Sequence, residues 1–421
     1  MSRAPLRVAV LGAGSVGRAV VRGLLDHPER LRATDGAPFV LAAVACRDLA
    51  RARAAGIPTD LLTDAPAHLV AAPEIDLVVE LLGGDEPART LIVAALGAGK
   101  PVVTANKHVV AHYGPELEAV ARRAGVAFRF EAAVAGGIPV LGPLASDLAA
   151  NSVRRVRGIV NGTSNYILSA MVHAGRSYVD VLADAQAHGY AEADPAGDVE
   201  GDDAVNKLVI LVRLAFGRWL DPASVGRRPP TVRGTGRPGI IGVTDGELAG
   251  AAALGLTLKL LASAVETAAG VAAAVLPTAV RSDGDLGRTD GVTNRIEVDA
   301  EPVGTVAFAG PGAGGAATSS AVLGDLIAVG RGLASTWAGL APATGPALAA
   351  ADPLDRPQHW YAFMPGGLSE AARGGFEKVA VVTVGGGAAV QTGVMPLGQA
   401  RALLGPLLRD GSDVTLYPID D

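Results

Sequence analysis

The 421-residue chain holds a single cysteine, Cys46, and only five lysines: Lys100, Lys107, Lys207, Lys259 and Lys378. A lone cysteine excludes a disulfide scaffold and any metal site built from several thiolates, and it suits a reducing cytoplasm. Aromatic residues are scarce, at 4%. No apolar run reaches the ~18 residues that a spanning helix needs. The Ala-rich stretch from Leu248 to Val280 is broken by Lys259 and Glu266. The seven histidines are read as offering no paired metal ligands, and neither H-E-x-x-H nor G-x-S-x-G occurs. Metalloprotease and serine-hydrolase chemistry therefore have no support. With so few lysines, the position of each carries information.

Apolar residues make up 49% of the chain and charged residues 19%, ample for the cores of two or three domains. Glycine (55) and proline (27) are abundant without reaching low-complexity levels. The net charge of −6 argues against nucleic acid as a partner. The N-terminal stretch Met1–Leu25 has basic residues ahead of apolar ones, but its glycines and Arg18 fit a strand entering a turn better than a signal peptide. These features place the protein in the cytoplasm with no membrane partner.

The pattern predicts an α/β fold. Residues 1–140 alternate short apolar strands (Arg7–Leu11, Phe39–Ala45, Leu77–Leu82, Val102–Thr104, Val126–Phe130) with amphipathic helices (Val16–Leu25, Glu86–Leu96, Gly114–Arg123). That is the signature of a Rossmann-type, doubly wound parallel sheet covered on both faces. Residues 141–317 read as an α+β catalytic and dimerisation domain. Its helices are expected at Asp203–Phe216 and Asp245–Leu261, and its strands at Val271–Val280 and Thr293–Phe308. A helix near Ser319–Val329 returns to complete the first domain with residues 318–335. Residues 336–358 look like a linker. Residues 359–421 form a small α/β-like tail, with a helix expected at Gly398–Leu408 and a strand at Val414–Tyr417.

Gly12-Ala-Gly14-Ser15-Val16-Gly17 sits between the first strand and its helix. The first glycine permits the tight turn, the second lets backbone approach a pyrophosphate, and the third permits close helix–strand packing. The second strand ends Ala45-Cys46-Arg47-Asp48. Arg47 could pair with a 2′-phosphate, favouring NADP, while Asp48 leaves NAD open. Ligands of such sheets bind beyond the carboxyl ends of the strands. Lys107, in Thr104-Ala-Asn-Lys107, lies at that end, as does Glu131; Lys100 precedes its strand and does not.

Between Gly189 and Lys207, six carboxylates (Glu192, Asp194, Asp198, Glu200, Asp202, Asp203) precede one lysine. Asp203 and Lys207 share a helix face at i, i+4. The helix continues Leu208-Val-Ile-Leu-Val, too apolar for a peripheral position, so Lys207 is expected at the edge of the buried region. Burial would lower its pKa and the acids would raise it, and a lysine so placed suits proton transfer. The spacing does not match a calcium loop.

Seven motifs in order resemble the homoserine dehydrogenase family over about Leu6 to Ala334. They are Gly12–Gly17, Val79–Gly84, Thr104–Lys107, Glu131–Pro139, Asn161–Leu168, Gly189–Lys207 and Gly310–Gly315. The resemblance implies that Lys207 exchanges the proton of the reacting hydroxyl and that Asp203 orients it. It places Lys107 beside the nicotinamide and has Glu192 bind the substrate ammonium. Gly162, Thr163, Gly189 and Asp198 would line the substrate pocket; Gly83, Thr104 and Gly310 would border the cofactor. It further implies a monovalent cation, sodium, at Glu131, Val134, Gly136 and Ile138, mostly through backbone carbonyls. A homodimer through Val271–Phe308 is expected, and the implied reaction interconverts homoserine and aspartate 4-semialdehyde in threonine and methionine synthesis.

Three features depart from the family pattern. Asp202 stands beside the catalytic pair, where it could raise the lysine's pKa; Ala316-Ala317 follows the second glycine loop; and the tail only faintly resembles a regulatory ACT domain. Another Rossmann-type oxidoreductase, or a non-catalytic nucleotide-sensing protein, is the alternative reading.

Overall fold

A computed structural model describes residues 4–31, 37–343, 345–368, 380–408 and 412–420; Lys378 lies outside them. The first sheet contains β1 (Leu6–Leu11), β2 (Phe39–Ala45), β3 (Leu62–Thr63), β4 (Leu77–Glu80), β5 (Val102–Thr104) and β6 (Phe128–Arg129). All neighbours are parallel, in the order β3-β2-β1-β4-β5-β6. This is the strand order of dinucleotide-binding sheets, with its crevice between β1 and β4 where the order reverses. The central strands, such as Leu77-Val-Val-Glu80, are buried along their whole length, as a sheet covered on both faces requires.

Helices α1 (Ser15–Asp26), α2 (Leu49–Ala54), α3 (Pro66–Ala71), α4 (Ala88–Gly97) and α5 (Lys107–Ala124) connect these strands. After β6 come α6 (Leu141–Ala145), α7 (Gly162–Ala174), α8 (Tyr178–Ala187), α9 (Ala196–Val199), α10 (Asp202–Phe216) and α11 (Asp245–Ala253). Last before the tail, α12 (Gly315–Gly330) begins four residues earlier than expected, directly on the second glycine loop. Its Val322 and Leu326 share an apolar cluster with Val20, Val21 and Leu24 of α1.

Among the described residues the second sheet has nine strands, in the order β11-β10-β7-β8-β9-β15-β12-β14-β13. Strands β7 (Ser152–Ile159), β8 (Leu256–Thr267), β9 (Gly270–Arg281), β10 (Thr293–Glu301) and β11 (Gly304–Pro311) form its antiparallel half. Two expectations fail here. The helix foreseen over Asp245–Leu261 ends at Ala253, and Leu256 starts a strand after Gly255 adopts a positive φ of 73°. Pairing of β8 with β9 over twelve residues overrides the helical preference of its leucines and alanines. Strand β7, Ser-Val-Arg-Arg-Val-Arg-Gly-Ile, was not among the expected strands. Its Arg155 and Arg157 meet Asp299 and Glu297 across the ladder.

In the tail, β12 (Trp360–Met364), β13 (Ala380–Val384), β14 (Gly387–Gln391) and β15 (Tyr417–Asp420) pair antiparallel in the order β15-β12-β14-β13. The tail helix is Leu397–Leu404, four residues shorter at its end than expected, and the last strand starts three residues later. That strand is fixed from outside the tail: β15 pairs parallel with β9, and the Asp420 carboxylate accepts from Arg155 and Arg157 at 2.7 and 2.6 Å. The stretch read as a linker is anchored at its start, while most of its described residues beyond Trp337 are exposed or half-buried. Trp337 is buried against Phe128 and Phe130, and the Ala341 carbonyl accepts from Arg213 at 2.7 Å.

Helix α10 lies between the two halves and is buried from Ala204 to Leu214. Its Arg213, with no exposed surface, forms a bidentate pair with Glu118 of α5 at 2.7 and 3.0 Å, and Trp219 donates to the same carboxylate at 2.8 Å. Removing one partner of such a buried pair costs roughly 3–5 kcal/mol. The network therefore fixes α10, and its N-terminal residues, against the dinucleotide sheet.

Candidate active site

Two groups of side chains meet where α10 begins. From the catalytic half, Gly201, at φ +90°, opens α10 so that Asp202 and Asp203 occupy its first turn, a favourable place for anions. Lys207, one turn on, is buried and donates from Nζ to Asp203 Oδ2 at 2.7 Å and to the Val160 carbonyl at 2.7 Å. From the dinucleotide half, Lys107 opens α5 and places its Nζ 2.9 Å from the other oxygen, Asp203 Oδ1. One carboxylate is thus held between the two lysines that the sequence singled out. Burial would raise the Asp203 pKa, but the two ammonium groups outweigh it and hold the carboxyl well below its ordinary range. The same contact raises the pKa of Lys107, with Asp198 and Glu192 adding to it.

Asn161 completes the cluster. Its Oδ1 caps α7 by accepting from Ser164 N–H at 2.8 Å, and its Nδ2 donates to Asp198 Oδ1 at 2.7 Å and Asp203 Oδ2 at 2.9 Å. Asn161 lay inside a quoted motif but was not read as a site residue. The signal was an asparagine directly before a helix start, which reads as a cap and hides the second role of the amide. Thr163 donates to the Tyr190 carbonyl at 2.7 Å, and Gly189 adopts a positive φ of 74° just beyond α8. Glu192 is exposed, with its backbone carbonyl held by Gln186 at 3.0 Å. Gly162 is packed so tightly that a Cβ would lie 2.9 Å from the Val292 carbonyl. Asp202 points away from the cluster and pairs with Arg227.

The cofactor residues divide differently. Gly12, Gly14, Ser15, Arg47 and Gly83 line a cleft of about 480 Å3 at the β1/β4 crevice. Gly12 has φ +115°, and a Cβ there would collide with the Leu81 carbonyl; one on Gly17 would collide with the Gly12 carbonyl. At Gly14 a Cβ would meet nothing within 4 Å, so that glycine borders open space. The tight pair and the open middle position fit a pyrophosphate at the N-terminus of α1. Val16 packs in the α1 cluster, and Thr104 is buried beneath the cleft. Gly310 lies against Ile138, and Gly315, five residues on, is the glycine that approaches the Ser15 carbonyl. Asp48 commits one oxygen to capping α2, accepting from Arg51 N–H at 2.8 Å.

At Glu131 the carboxylate accepts from the N–H groups of Val140, Leu141 and Gly142 at 2.7–2.9 Å, closing the start of α6. Burial and the nearby Asp325 push its pKa up against those three donors. The loop beyond it turns through left-handed backbone at Ala135 and Gly136 (φ 53° and 57°). Val134, Gly136 and Ile138 are buried, and none of the backbone hydrogen bonds among the described residues ends on their carbonyls. Unpaired buried carbonyls are a hard-oxygen donor set, which suits a cation of the alkali or alkaline-earth type. One histidine reading needs correction: His108 and His112 do have i, i+4 spacing on α5. Their rings stack at 4.2 Å, and no group of three or more His, Cys, Asp or Glu side chains arranged for a metal occurs among the described residues.

Two family models cover most of the chain. That of the homoserine dehydrogenase NAD binding domain matches residues 12–131, and that of homoserine dehydrogenase matches residues 139–327. Homoserine dehydrogenase of Mycobacterium tuberculosis is 46% identical over 332 residues, spanning 78% of this chain and 73% of that protein. The chain belongs to the homoserine dehydrogenase family. The Bacillus subtilis homoserine dehydrogenase is 38% identical over 324 residues, 77% of this chain and 72% of that protein. The crystal structure of a homoserine dehydrogenase from Thiobacillus denitrificans superposes with a TM-score of 0.88 at 34% identity. It covers 100% of this chain and 99% of that one, so the likeness extends through the tail. As a family member the protein is an oxidoreductase with an NAD-binding domain, hence a nicotinamide dinucleotide as cofactor. Among the described residues no helix is long and apolar enough to cross a membrane.

Proposed function

We propose that Lys207 moves the proton and Asp203 and Lys107 set its field in the interconversion of L-homoserine and L-aspartate 4-semialdehyde. The observation that carries this is the convergence of both lysines on the two oxygens of Asp203. The nicotinamide ring, when bound, takes up the hydride from the alcohol carbon. The protein must then remove the hydroxyl proton. Lys207 takes that proton as the free amine and becomes an ammonium, which Asp203 and the Val160 carbonyl then hold in a fixed direction; in the reduction the ammonium returns the proton to the substrate oxygen. Lys107 retains its charge beside Asp203 and stabilises negative charge developing on the substrate oxygen. Glu192, exposed at the mouth of the cluster, receives the substrate ammonium, with Asp198, Gly162, Thr163 and Gly189 around it.

Gly12, Gly14, Ser15, Val16 and Gly17 would hold the pyrophosphate, and Gly83, Thr104 and Gly310 would frame the rest of the cofactor. Arg47 in the same cleft, with Asp48 engaged as a cap, favours NADP over NAD. The carbonyls of Val134, Gly136 and Ile138, with Glu131 securing their loop, would hold a monovalent cation, sodium by family resemblance. The domain division proposed is residues 1–140 with 318–335, residues 141–317, the linker 336–358 and the tail 359–421. The antiparallel order of the tail strands supports an ACT-like unit. A homodimer is proposed through Val271–Phe308, where β11 is exposed or half-buried along its whole length. The cytoplasm and threonine and methionine synthesis complete the reading.

The test follows nicotinamide absorbance with homoserine and NADP or NAD. Turnover is expected with the native chain, and Lys207→Ala should reduce it by about 10³-fold or more while cofactor affinity is largely kept. A folded native protein without turnover, or a Lys207→Ala variant that loses cofactor binding, would overturn the assignment.

A further inference from the structure

We infer that Glu80 is a positioning residue for the reaction: through Thr104 and Asn106 it fixes the start of α5, and with it Lys107, in the cleft. Glu80 closes β4 and has no exposed surface. Its Oε1 accepts from Leu82 N–H at 2.7 Å and its Oε2 from the Thr104 hydroxyl at 2.6 Å, so one carboxylate ties together the ends of two adjacent strands. Thr104 Oγ1 in turn accepts from Asn106 N–H at 2.9 Å. Asn106 caps α5 through Oδ1, which accepts from Val109 N–H at 3.2 Å, and its Nδ2 donates to the Gly84 carbonyl at 2.8 Å. The chain of bonds ends one residue before Lys107.

A packing role alone accounts poorly for this arrangement. Neighbouring positions on β4 and β5 are valines and leucines, and a carboxylate there gives up its hydration. Among the described residues no lysine or arginine forms a salt bridge with Glu80, so its charge is not spent on a structural ion pair. Every bond it makes instead holds a loop facing the cleft: Leu82–Gly84 on one side and Thr104–Lys107 on the other. Burial raises its pKa, and the donors around it oppose the shift. Lys107 is the first residue of its helix, and its Nζ must span to a different domain to meet Asp203. A small displacement of that helix start removes the contact.

The inference rests on Lys107 belonging to the reacting cleft, and the test separates the two. Glu80→Gln and Thr104→Val are made singly and each in combination with Lys107→Ala, and homoserine oxidation is followed together with thermal melting. Each single variant should lower kcat by about ten- to a hundredfold through misplacement of Lys107, with a smaller change in KM and a melting temperature near that of the native protein. Thr104→Ser keeps the hydroxyl and should restore the rate. In the Lys107→Ala background either substitution should add less than about twofold, because the group it positions is gone. Native rates in Glu80→Gln and Thr104→Val would overturn the inference, as would losses that multiply with that of Lys107→Ala. A fully active Lys107→Ala would remove the role of Lys107 and this inference with it. If Glu80→Gln does not fold, the Thr104 variants decide the matter.

Discussion

Glu80 at the end of β4 and Asp203 in the first turn of α10 are both carboxylates withdrawn from water, one in each half of the molecule. Burial raises the pKa of both. Asp203 has two ammonium groups within 2.9 Å and is driven down; Glu80 has a hydroxyl and backbone N–H groups and stays up. Neutral donors therefore fix geometry beside the dinucleotide-sheet cleft, and ionic partners hold charge at the start of α10. The two groups also act oppositely on stability. Asp203, with a depressed folded pKa, contributes stability above the ordinary carboxylate range and loses it as pH falls through its folded value. Glu80, with a raised folded pKa, keeps its proton longer than the unfolded chain does, so it weakens the fold as pH rises through that interval.

The strongest way to break this contrast is Asp203→Asn. The amide keeps the shape and one acceptor but leaves Lys207 buried beside a neutral group, at a cost of roughly 3–5 kcal/mol. Turnover should fall by about a hundredfold or more. The melting temperature should drop most near neutral pH, and the deficit should shrink on acidification, since protonated Asp203 would have lost the same attraction. A deficit constant with pH would mean that packing, rather than charge, holds the two halves together here.

The sequence exposed the two halves unequally. The parallel sheet was legible because its strands are continuous apolar runs and its glycine turn has a fixed spacing. Lys107, Asp203 and Lys207 were legible because lysine is rare and helical spacing puts the last two on one face. Strand β7 was hidden by its arginines, which are satisfied by Glu301, Asp299, Glu297 and Asp420 from elsewhere in the chain. The boundary between α11 and β8 was hidden because the same Ala/Leu run continues past Gly255, and only pairing with β9 decides its conformation. Glu80 and Asn161 escaped notice for a related reason: their roles depend on partners 24 and 42 residues away.

Arg47→Ala sharpens the comparison at the β1/β4 cleft, which Arg47 lines together with Arg18 and Arg51 and where Arg47 is proposed to read a 2′-phosphate. Loss of a charge-assisted contact to a 2′-phosphate should raise the KM for NADP about tenfold and leave that for NAD nearly unchanged. Equal changes for both would place Arg47 on the shared part of the cofactor.

The smallest effect is expected one residue from the largest. Asp202 and Asp203 are adjacent in the first turn of α10, yet the helix turns them apart. Asp203 faces the lysines, whereas Asp202 is exposed and paired with Arg227. Sequence alone had placed Asp202 close enough to raise the pKa of Lys207. An exposed pair in high dielectric is worth about 0–1 kcal/mol, and water and salt screen its field before it reaches a buried site. Asp202→Asn should therefore change turnover by less than about twofold and leave the pH–rate profile in place. If the acidic limb of the homoserine-oxidation profile moved to lower pH, the Asp202 field would be reaching Lys207. The reactive charge would then belong to the whole acidic turn rather than to Asp203, and the division between an ionic and a neutral side of the cleft would need to be redrawn around the helix start.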